Sequence, residues 1–244
     1  MKEKIENNLK TKIIGKNIKY FEKISSTQLV AKEMAEKNIE NGTIVITDNQ
    51  ENGIGTQDRK WYSDAGKNIM FTLIIYPKCD VRNLNTITVD IAKCIVNTIE
   101  KIYHLKLEIK HPNDIMCNGK KLGGILTQIV TNGEDIRYLL IGIGINVNQE
   151  KFEGEIRKTA TSLKIEIGKI KENRRIKEKK EISKNEGIEE NNKIEENEEQ
   201  ELDRAKIVAE FCNSFEEYCI QNKIIWIYFE TKRGFQILRN PLKY

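Results

Sequence analysis

A chain of 244 residues is long enough to bury a real core, as one large domain or two modest ones. Its 41 basic and 37 acidic residues leave a formal charge of only +4, so charge alone gives no DNA or RNA partner. No apolar run approaches the roughly 18 residues of a membrane span, and Met1 to Gly15 is charged throughout without a signal-peptide core, so the expected location is cytoplasmic.

In chain order, Ile13 to Ile24 reads as a short strand or approach segment. Ser26 or Thr27 suits the N-cap of a helix over Gln28 to Lys37, which Asn41-Gly42 ends. Thr43 to Thr47 and Asn68 to Tyr76 are β-rich runs, the second closed by Pro77, and the polar, glycine-bearing stretch Asn49 to Gly66 lies between them. Ile87, Ile91, Ile95, Ile99 and Ile102 give helical spacing to Asn85 to Tyr103. Leu107 to Lys110 is a short strand, and Asn118-Gly119 has the chemistry of a type I′ hairpin turn. Arg137 to Val147 is another strand. Arg204 to Gln221 is an amphipathic helix, and Ile224 to Gly234 is expected to be a second one. Hairpins with interspersed helices predict an α+β fold with a mixed, mostly antiparallel sheet.

Residues 169–203 differ from their surroundings, with basic residues leading, acidic ones trailing and few large apolar groups. Such a segment buries too little to offset chain entropy, so it is expected to be a disordered or loosely helical insertion without catalytic part. Its oppositely charged halves could also fold as a helical hairpin. The flanking stretches, 1–168 and 204–244, then form one domain. Cys79, Cys94, Cys117, Cys212 and Cys219 are odd in number and contain no C-x-x-C pair, which fits reduced thiols used as apolar filler. His104 and His111 lack partners at metal spacing, so no metal ligand is firmly assigned.

Four constellations carry chemistry. In Lys110-His-Pro-Asn-Asp114, the proline fixes a rigid corner for Asn113 and Asp114. Beyond the turn, Lys120 and Lys121 point to opposite faces, and an inward lysine beside Gly123-Gly124 can meet an anion with little steric hindrance. Gln50 to Trp61 holds Gly53 and Gly55, whose loop amides can point at phosphate oxygens, with Arg59 and Trp61 beyond. Gly142, Gly144 and Asn146 share one strand face, a bare floor for a flat ligand that ends in a carboxamide. Ser25-Ser-Thr-Gln28 opens a helix whose N-terminus can cap itself or take a polar ligand group. Ordinary turn chemistry and close strand–helix packing are the alternative readings of these patterns.

Taken in order, Ser26-Thr27, Gln50, Gly53-x-Gly55, Arg59-x-Trp61, Pro112-Asn-Asp114, Lys121-Leu-Gly-Gly-Ile125, Gly142-x-Gly-x-Asn146 and Ala160-Thr-Ser-Leu163 resemble the motif set of the biotin protein ligases. The resemblance runs from about Lys10 to Leu163 and resumes loosely from Arg204. It implies the fold of the biotin/lipoate ligase catalytic domain and a two-step reaction: biotin and Mg2+-ATP give biotinyl-5′-adenylate, and biotin then passes to a lysine of a biotin carboxyl carrier protein. It implies Lys121 as the catalytic residue, with Ser26, Thr27, Gln28, Gln50, Gly53, Ile54, Gly55, Thr56, Gly142 and Gly144 at the biotin. Arg59, Trp61, Asn113, Asp114 and Asn146 match positions at the nucleotide.

The family's usual loop is Gly-Arg-Gly-Arg-Arg-Gly-Arg, whereas here it reads Gly53-Ile-Gly-Thr-Gln-Asp-Arg59, so Ile54 and Thr56 stand in place of arginines. Weaker retention of the adenylate is the expectation. Gln28 stands where asparagine is usual and His111 where tryptophan is. From the short stretch before Ser26 a helix-turn-helix domain is not expected, and a small C-terminal barrel would be expected to begin about where Tyr244 falls. No DNA or membrane partner is expected, and a homodimer is left open. The alternatives are a lipoate- or octanoate-protein ligase-like enzyme and a catalytically degenerate biotin-binding protein.

Overall fold

A computed structural model describes residues 1–185, 201–225, 228–231 and 234–237. Its elements are α1 (Lys2–Glu6), β1 (Ile18–Ile24), α2 (Thr27–Glu36), β2 (Ile44–Gln50), β3 (Gly53–Ile54), β4 (Lys60–Trp61), β5 (Ile69–Ile75), α3 (Ile87–Tyr103), β6 (Glu108–Lys110), β7 (Asp114–Cys117), β8 (Lys120–Asn132), β9 (Asp135–Ile145), α4 (Leu163–Asn185), α5 (Arg204–Gln221), β10 (Tyr228–Thr231) and β11 (Gly234–Ile237). Seven strands form one sheet in the order β1-β2-β5-β9-β8-β7-β6. Only the β1–β2 pair is parallel; the other neighbours are antiparallel, which is the mixed α+β sheet expected from the sequence.

The period of two in β5 and β9 decides what each face of the sheet does. Ile69, Phe71, Leu73 and Ile75 point with Leu139, Ile141, Ile143 and Ile145 into the main core, which also takes in buried residues of α3 and α5. Helix α5 is fixed there by an aromatic ladder in which Phe71 meets Phe211 at 5.8 Å and Phe211 stacks on Phe215 at 5.4 Å. On the opposite face Ile74 and Leu140 pack against Ala31 and Ala35 of α2. The small residues of α2 let that helix lie close, and it covers one end of the face.

Local signals account for most boundaries. Asn118 and Gly119 take φ of 49° and 73°, the two left-handed positions of the expected hairpin turn. Helix α2 ends earlier than expected, with Lys37 as its C-cap and Asn38 left-handed at φ 55°. Gly42 serves the entry to β2 instead: at φ 80° a Cβ there would lie 2.5 Å from the Ile13 carbonyl oxygen. The helix expected over Ile224 to Gly234 is a correction, because Tyr228–Thr231 and Gly234–Ile237 form an antiparallel two-stranded ladder. Aromatic and β-branched residues dominate that run and favour extended backbone. Helix α1, unforeseen in the charged N-terminus, packs its buried Ile5 into the main core.

Residues 169–185 of the charged segment are helical as the outer part of α4, and the helical-hairpin expectation involves residues 186–200, outside the described residues. The two ends of this excursion leave and return together. Leu163 donates its N–H to the Asn146 carbonyl at 3.1 Å, while Asn148 clasps the Leu202 backbone through bonds of 2.9 and 3.0 Å. Among the described residues no helix is long and apolar enough to cross a membrane.

Candidate active site

The half of the sheet face that α2 leaves uncovered is the floor of a cavity of about 270 Å³. Thr72 of β5, Gly142 and Gly144 of β9 and Gly124 and Leu126 of β8 line that floor. Ser26, Thr27 and Gln28 enter from the β1–α2 corner, Gln50 from the end of β2, and Ile54, Gly55, Thr56, Arg59 and Trp61 from the glycine loop. Asn113, Lys121 and Asn146 stand opposite, and Phe152, Ile156, Thr159 and Ala160 complete the wall. Of the expected site residues, two lie outside the lining. Gly53 is packed behind it, and Asp114 belongs to an adjoining pocket shared with Lys110 and His111.

Sequence reading missed Thr72, Phe152 and Ile156. A hydroxyl inside the apolar run Ile69–Ile75 was a readable signal for the first. Isolated apolar residues in the polar stretch after β9 were the signal for the other two.

A network of side chains fixes the corner. Gln50 Oε1 accepts from the Thr27 N–H at 2.8 Å and from the Thr27 hydroxyl at 3.1 Å. Gln50 therefore caps α2 from outside, and the N-cap residue Ser26 makes no capping bond of its own. Thr72 Oγ1 lies 3.1 Å from Gln28 Oε1, which turns the Gln28 amide nitrogen towards the cavity. Gly142 is required by that placement, since a Cβ there would meet Gln28 Oε1 at 2.7 Å.

Four buried polar atoms around this cavity have no protein partner: Ser26 Oγ, Gln28 Nε2, Trp61 Nε1 and Asn146 Oδ1. Each unmet group of this kind costs about 1–3 kcal/mol. Four of them around one cavity form a ready-made set of two donors, one acceptor and a hydroxyl that serves as either. A ligand with amide-like polarity is what such a set matches.

Two expectations about the floor need correction. The Gly144 face is not bare: the Trp61 indole lies on it, so close that a Cβ at position 144 would sit 2.6 Å from the ring. Glycine at this position makes room for tryptophan rather than for a flat ligand. The glycine loop is also no open phosphate cradle, because the Gly55 N–H is bonded to the Arg59 carbonyl at 2.7 Å. A Cβ at Gly53 would meet Gln50 Nε2 and the Trp61 carbonyl, each at 2.6 Å, so that glycine permits close packing. Arg59 folds back on its own loop, with Nη2 donating to Thr56 Oγ1 at 3.2 Å.

The Lys121 ammonium is 2.6 Å from Asp114 Oδ1, with side-chain exposures of 34% and 16%. The cation thus stands at the edge of the cavity and holds one carboxylate, with Gly124 and the edge of the Trp61 ring beside it. Burial pushes the thiols of Cys94 and Cys117 up to about 11, so neither is a nucleophile near neutral pH. Among the described residues no group of three or more His, Cys, Asp or Glu side chains is placed to hold a metal. Asp114 Oδ1 faces Lys121 and Asn113 bonds through its amide nitrogen, so the second carboxylate oxygen and the amide oxygen are atoms that could serve a hard cation.

A sequence model of the Biotin/lipoate A/B protein ligase family matches residues 20–146, more than half of the chain. The Bifunctional ligase/repressor BirA of Bacillus spizizenii is 41% identical over 157 residues, which are 64% of this chain and 48% of that protein. Human Biotin–protein ligase is 33% identical over 150 residues, 57% of this chain and 20% of the human one. In three dimensions, biotin protein ligase from Aquifex aeolicus, solved with biotin and ATP, superposes with a TM-score of 0.60 at 19% identity, covering 92% of this chain and 96% of that one. The Leishmania major biotin protein ligase with biotinyl-5-AMP gives the same TM-score, 0.60, at 19% identity over 91% of this chain and 94% of that one. These likenesses show the fold. The chain spans about half the length of the Bacillus BirA proteins it matches, 48% of each. On the sequence match it belongs to the biotin/lipoate A/B protein ligase family.

Proposed function

We propose that the chain is an ATP-dependent biotin–protein ligase. The observation that carries this reading is the set of four unpartnered polar atoms around a cavity that also holds the Lys121 ammonium. A ureido ring offers one carbonyl acceptor and two N–H donors, which complement Gln28 Nε2 and the Ser26 hydroxyl. The dithiolane ring of lipoate and the tail of octanoate offer no such groups and would leave these atoms unpaired. That difference favours biotin over the other substrates of the family.

In the first step a biotin carboxylate oxygen attacks the α-phosphorus of ATP, the new O–P bond forms as the α–β bond breaks, and pyrophosphate leaves. Both reactants are anionic, so the enzyme must cancel repulsion where charge concentrates. Lys121 supplies that charge between carboxylate and α-phosphate, with Arg59 as the nearby loop cation. Asn113 and Asp114 would hold Mg2+, which supplies charge neutralisation on the phosphates when bound. Trp61 offers an aromatic face for the adenine, and Asn146 Oδ1 an acceptor. In the second step a lysine amine of a biotin carboxyl carrier protein attacks the mixed anhydride and AMP leaves. The charged segment 169–203 is an insertion that supplies no catalytic group, and 1–168 with 204–244 form the catalytic domain. ATP supply and five unpaired cysteines suit work in the cytoplasm.

Biotin-dependent ATP–pyrophosphate exchange on the purified chain tests the reading. Exchange driven by biotin, and not by lipoate or octanoate, is expected. Exchange driven by lipoate would move the assignment to the lipoate branch, and biotin binding without exchange would make the chain a non-catalytic binder.

A further inference from the structure

Glu166 lies outside the lining of the candidate site, yet it ties together the pieces of chain that carry two ligand-facing groups. Its side chain is 1% exposed. Oε1 accepts from Thr161 Oγ1 at 2.5 Å and from Lys169 Nζ at 2.7 Å, and Oε2 accepts from Asn118 Nδ2 at 2.7 Å. Asn118 is in the tight turn between β7 and β8, three residues before Lys121. Thr161 belongs to the segment that pairs with Lys121 itself. The Lys121 N–H donates to the Thr159 carbonyl at 2.7 Å, and its carbonyl accepts from the Thr161 N–H at 2.9 Å. The Thr161 carbonyl in turn accepts from Asn146 Nδ2 at 2.9 Å, which leaves Asn146 Oδ1 as the unpartnered atom.

We propose that Glu166 is the positioning residue for Lys121 and Asn146, holding the lysine's hairpin and its bridging segment in one register through Asn118 and Thr161. The assignment rests on the ligase reading of the cavity. An apolar side chain could fill the same volume without the cost of a buried charge. What the carboxylate adds is direction, because it accepts from three donors on three different stretches of chain. Burial acts to raise its pKa, but the bonds from Lys169, Thr161 and Asn118 outweigh that and hold it below the usual glutamate value, so it stays ionised. The ring-facing atoms of Ser26 and Gln28 sit on α2 and its N-cap, and none of their recorded bonds passes through Glu166. Loss of Glu166 should therefore disturb the reacting end of the ligand and spare the ring end.

The test is a kcat-against-affinity split in biotin-dependent ATP–pyrophosphate exchange on the full chain. Glu166→Gln keeps shape but sets an amide N–H2 against a donor. It is expected to lower kcat about 10- to 100-fold, the scale of a misplaced reacting group, with little change in biotin affinity by calorimetry. Adding Asn118→Asp reverses the polarity of the lost bond, since the introduced amide can donate to the new carboxylate, and aspartate tolerates the left-handed backbone there. That double variant should recover most of the lost kcat. Full kcat in Glu166→Gln, or a folded double variant no faster than the single one, overturns the assignment. If Glu166→Gln does not fold, Thr161→Val, which deletes only the hydroxyl arm, is expected to show the same split, and an unchanged kcat there overturns it too. A wild-type chain without exchange overturns the ligase reading and this one with it, whereas an active wild type with an unimpaired Glu166→Gln overturns this one alone.

Discussion

Lys121 and Asp114 face each other across the β7–β8 pair, ammonium nitrogen to carboxylate oxygen at 2.6 Å. Their strands meet at a bulge between Ile115 and Met116, so Asp114 opposes Gly124 while Met116 opposes Lys121. A Cβ at Gly124 would lie 3.4 Å from Nζ and 3.5 Å from the Trp61 ring, so ammonium and indole meet over that glycine. Asp114 is largely buried and its Oδ1 is enclosed, so the ammonium is what keeps this carboxylate from standing buried and unpaired. An incoming carboxylate and phosphate must therefore share the cation with Asp114 rather than displace it.

Lys121→Ala removes the cation that this reading places between the two reacting anions. Exchange activity is expected to fall about 10²–10³-fold, the range for loss of one preorganised electrostatic donor. Biotin-dependent exchange with circular dichroism as a fold control checks this. Retention of more than a tenth of the activity would remove Lys121 from the chemistry.

Gly144 and Trp61 make a second coupled pair. Gly144→Ala would place a methyl group 2.6 Å from the indole, so the ring must leave the floor. The expected cost is about 1–3 kcal/mol of stability for overpacking, together with loss of the tryptophan response to ligand. Trp61 is one of two tryptophans in the chain, so fluorescence is best read in a Trp226→Phe background, with thermal melting alongside. An unaltered ligand response would place the functional ring elsewhere.

Much of this site was legible because strand periodicity is strict. Gly142 and Gly144 had to share a face opposite Ile143 and Ile145, and Asn118-Gly119 had to turn. What the sequence could not disclose was who fills a glycine's empty space. Whether a ligand, the Gln28 amide or the Trp61 ring occupies it depends on chain segments far apart in sequence, and local patterning carries no such distance information. The same limit hid Glu166 and Glu216, which nothing in their local sequence sets apart from surface acids. The last helix failed for a local reason, since apolar spacing over a short run does not separate helix from strand.

Glu216 on α5 illustrates that hidden class. Its carboxylate accepts the N–H groups of Lys12, Ile13 and Ile14 at 2.6, 2.8 and 2.8 Å. The approach to β1 is thereby anchored to a helix near the other end of the chain. Glu216→Ala strands these donors and is expected to destabilise the fold by about 2–4 kcal/mol, with Glu216→Gln costing less. Urea unfolding measures both. Equal midpoints for wild type and Glu216→Ala would mean that solvent replaces the carboxylate.

Acid should unfold the chain through Glu166 and Asp48. For both, burial acts to raise the pKa but bonds outweigh it, from Lys169, Thr161 and Asn118 at Glu166 and from Tyr20 and Arg204 at Asp48. The folded values thus lie below the ordinary 4.5 and 3.8. A lowered folded pKa gives stability that is present above the unfolded value and is lost as pH falls through the folded one. Urea midpoints should hold above pH about 5 and decline below about 4.5. The decline should be shallower in Glu166→Gln and Asp48→Asn, and parallel curves for all three proteins would show that other carboxylates govern the acid limb.

Ile54→Arg tests what the loop departure means. The family pattern places an arginine at this position, and Ile54 is 38% exposed on the cavity lining, so a longer charged side chain has somewhere to go. Thr56, the other departure, is already engaged: Arg59 Nη2 donates to its hydroxyl at 3.2 Å and Asn113 Nδ2 approaches it at 3.4 Å. Arginine at 56 would break that local cluster, whereas arginine at 54 adds charge without removing a recorded bond. One charge-assisted contact contributes about 1.5–3 kcal/mol. At about 1.4 kcal/mol per factor of ten, Ile54→Arg is expected to slow release of biotinyl-5′-adenylate about 10- to 100-fold while Thr56→Arg gains less. Stopped-flow or filter-binding release of labelled adenylate measures it. Release from Ile54→Arg as fast as from wild type would show that the isoleucine loop does not close on the ligand.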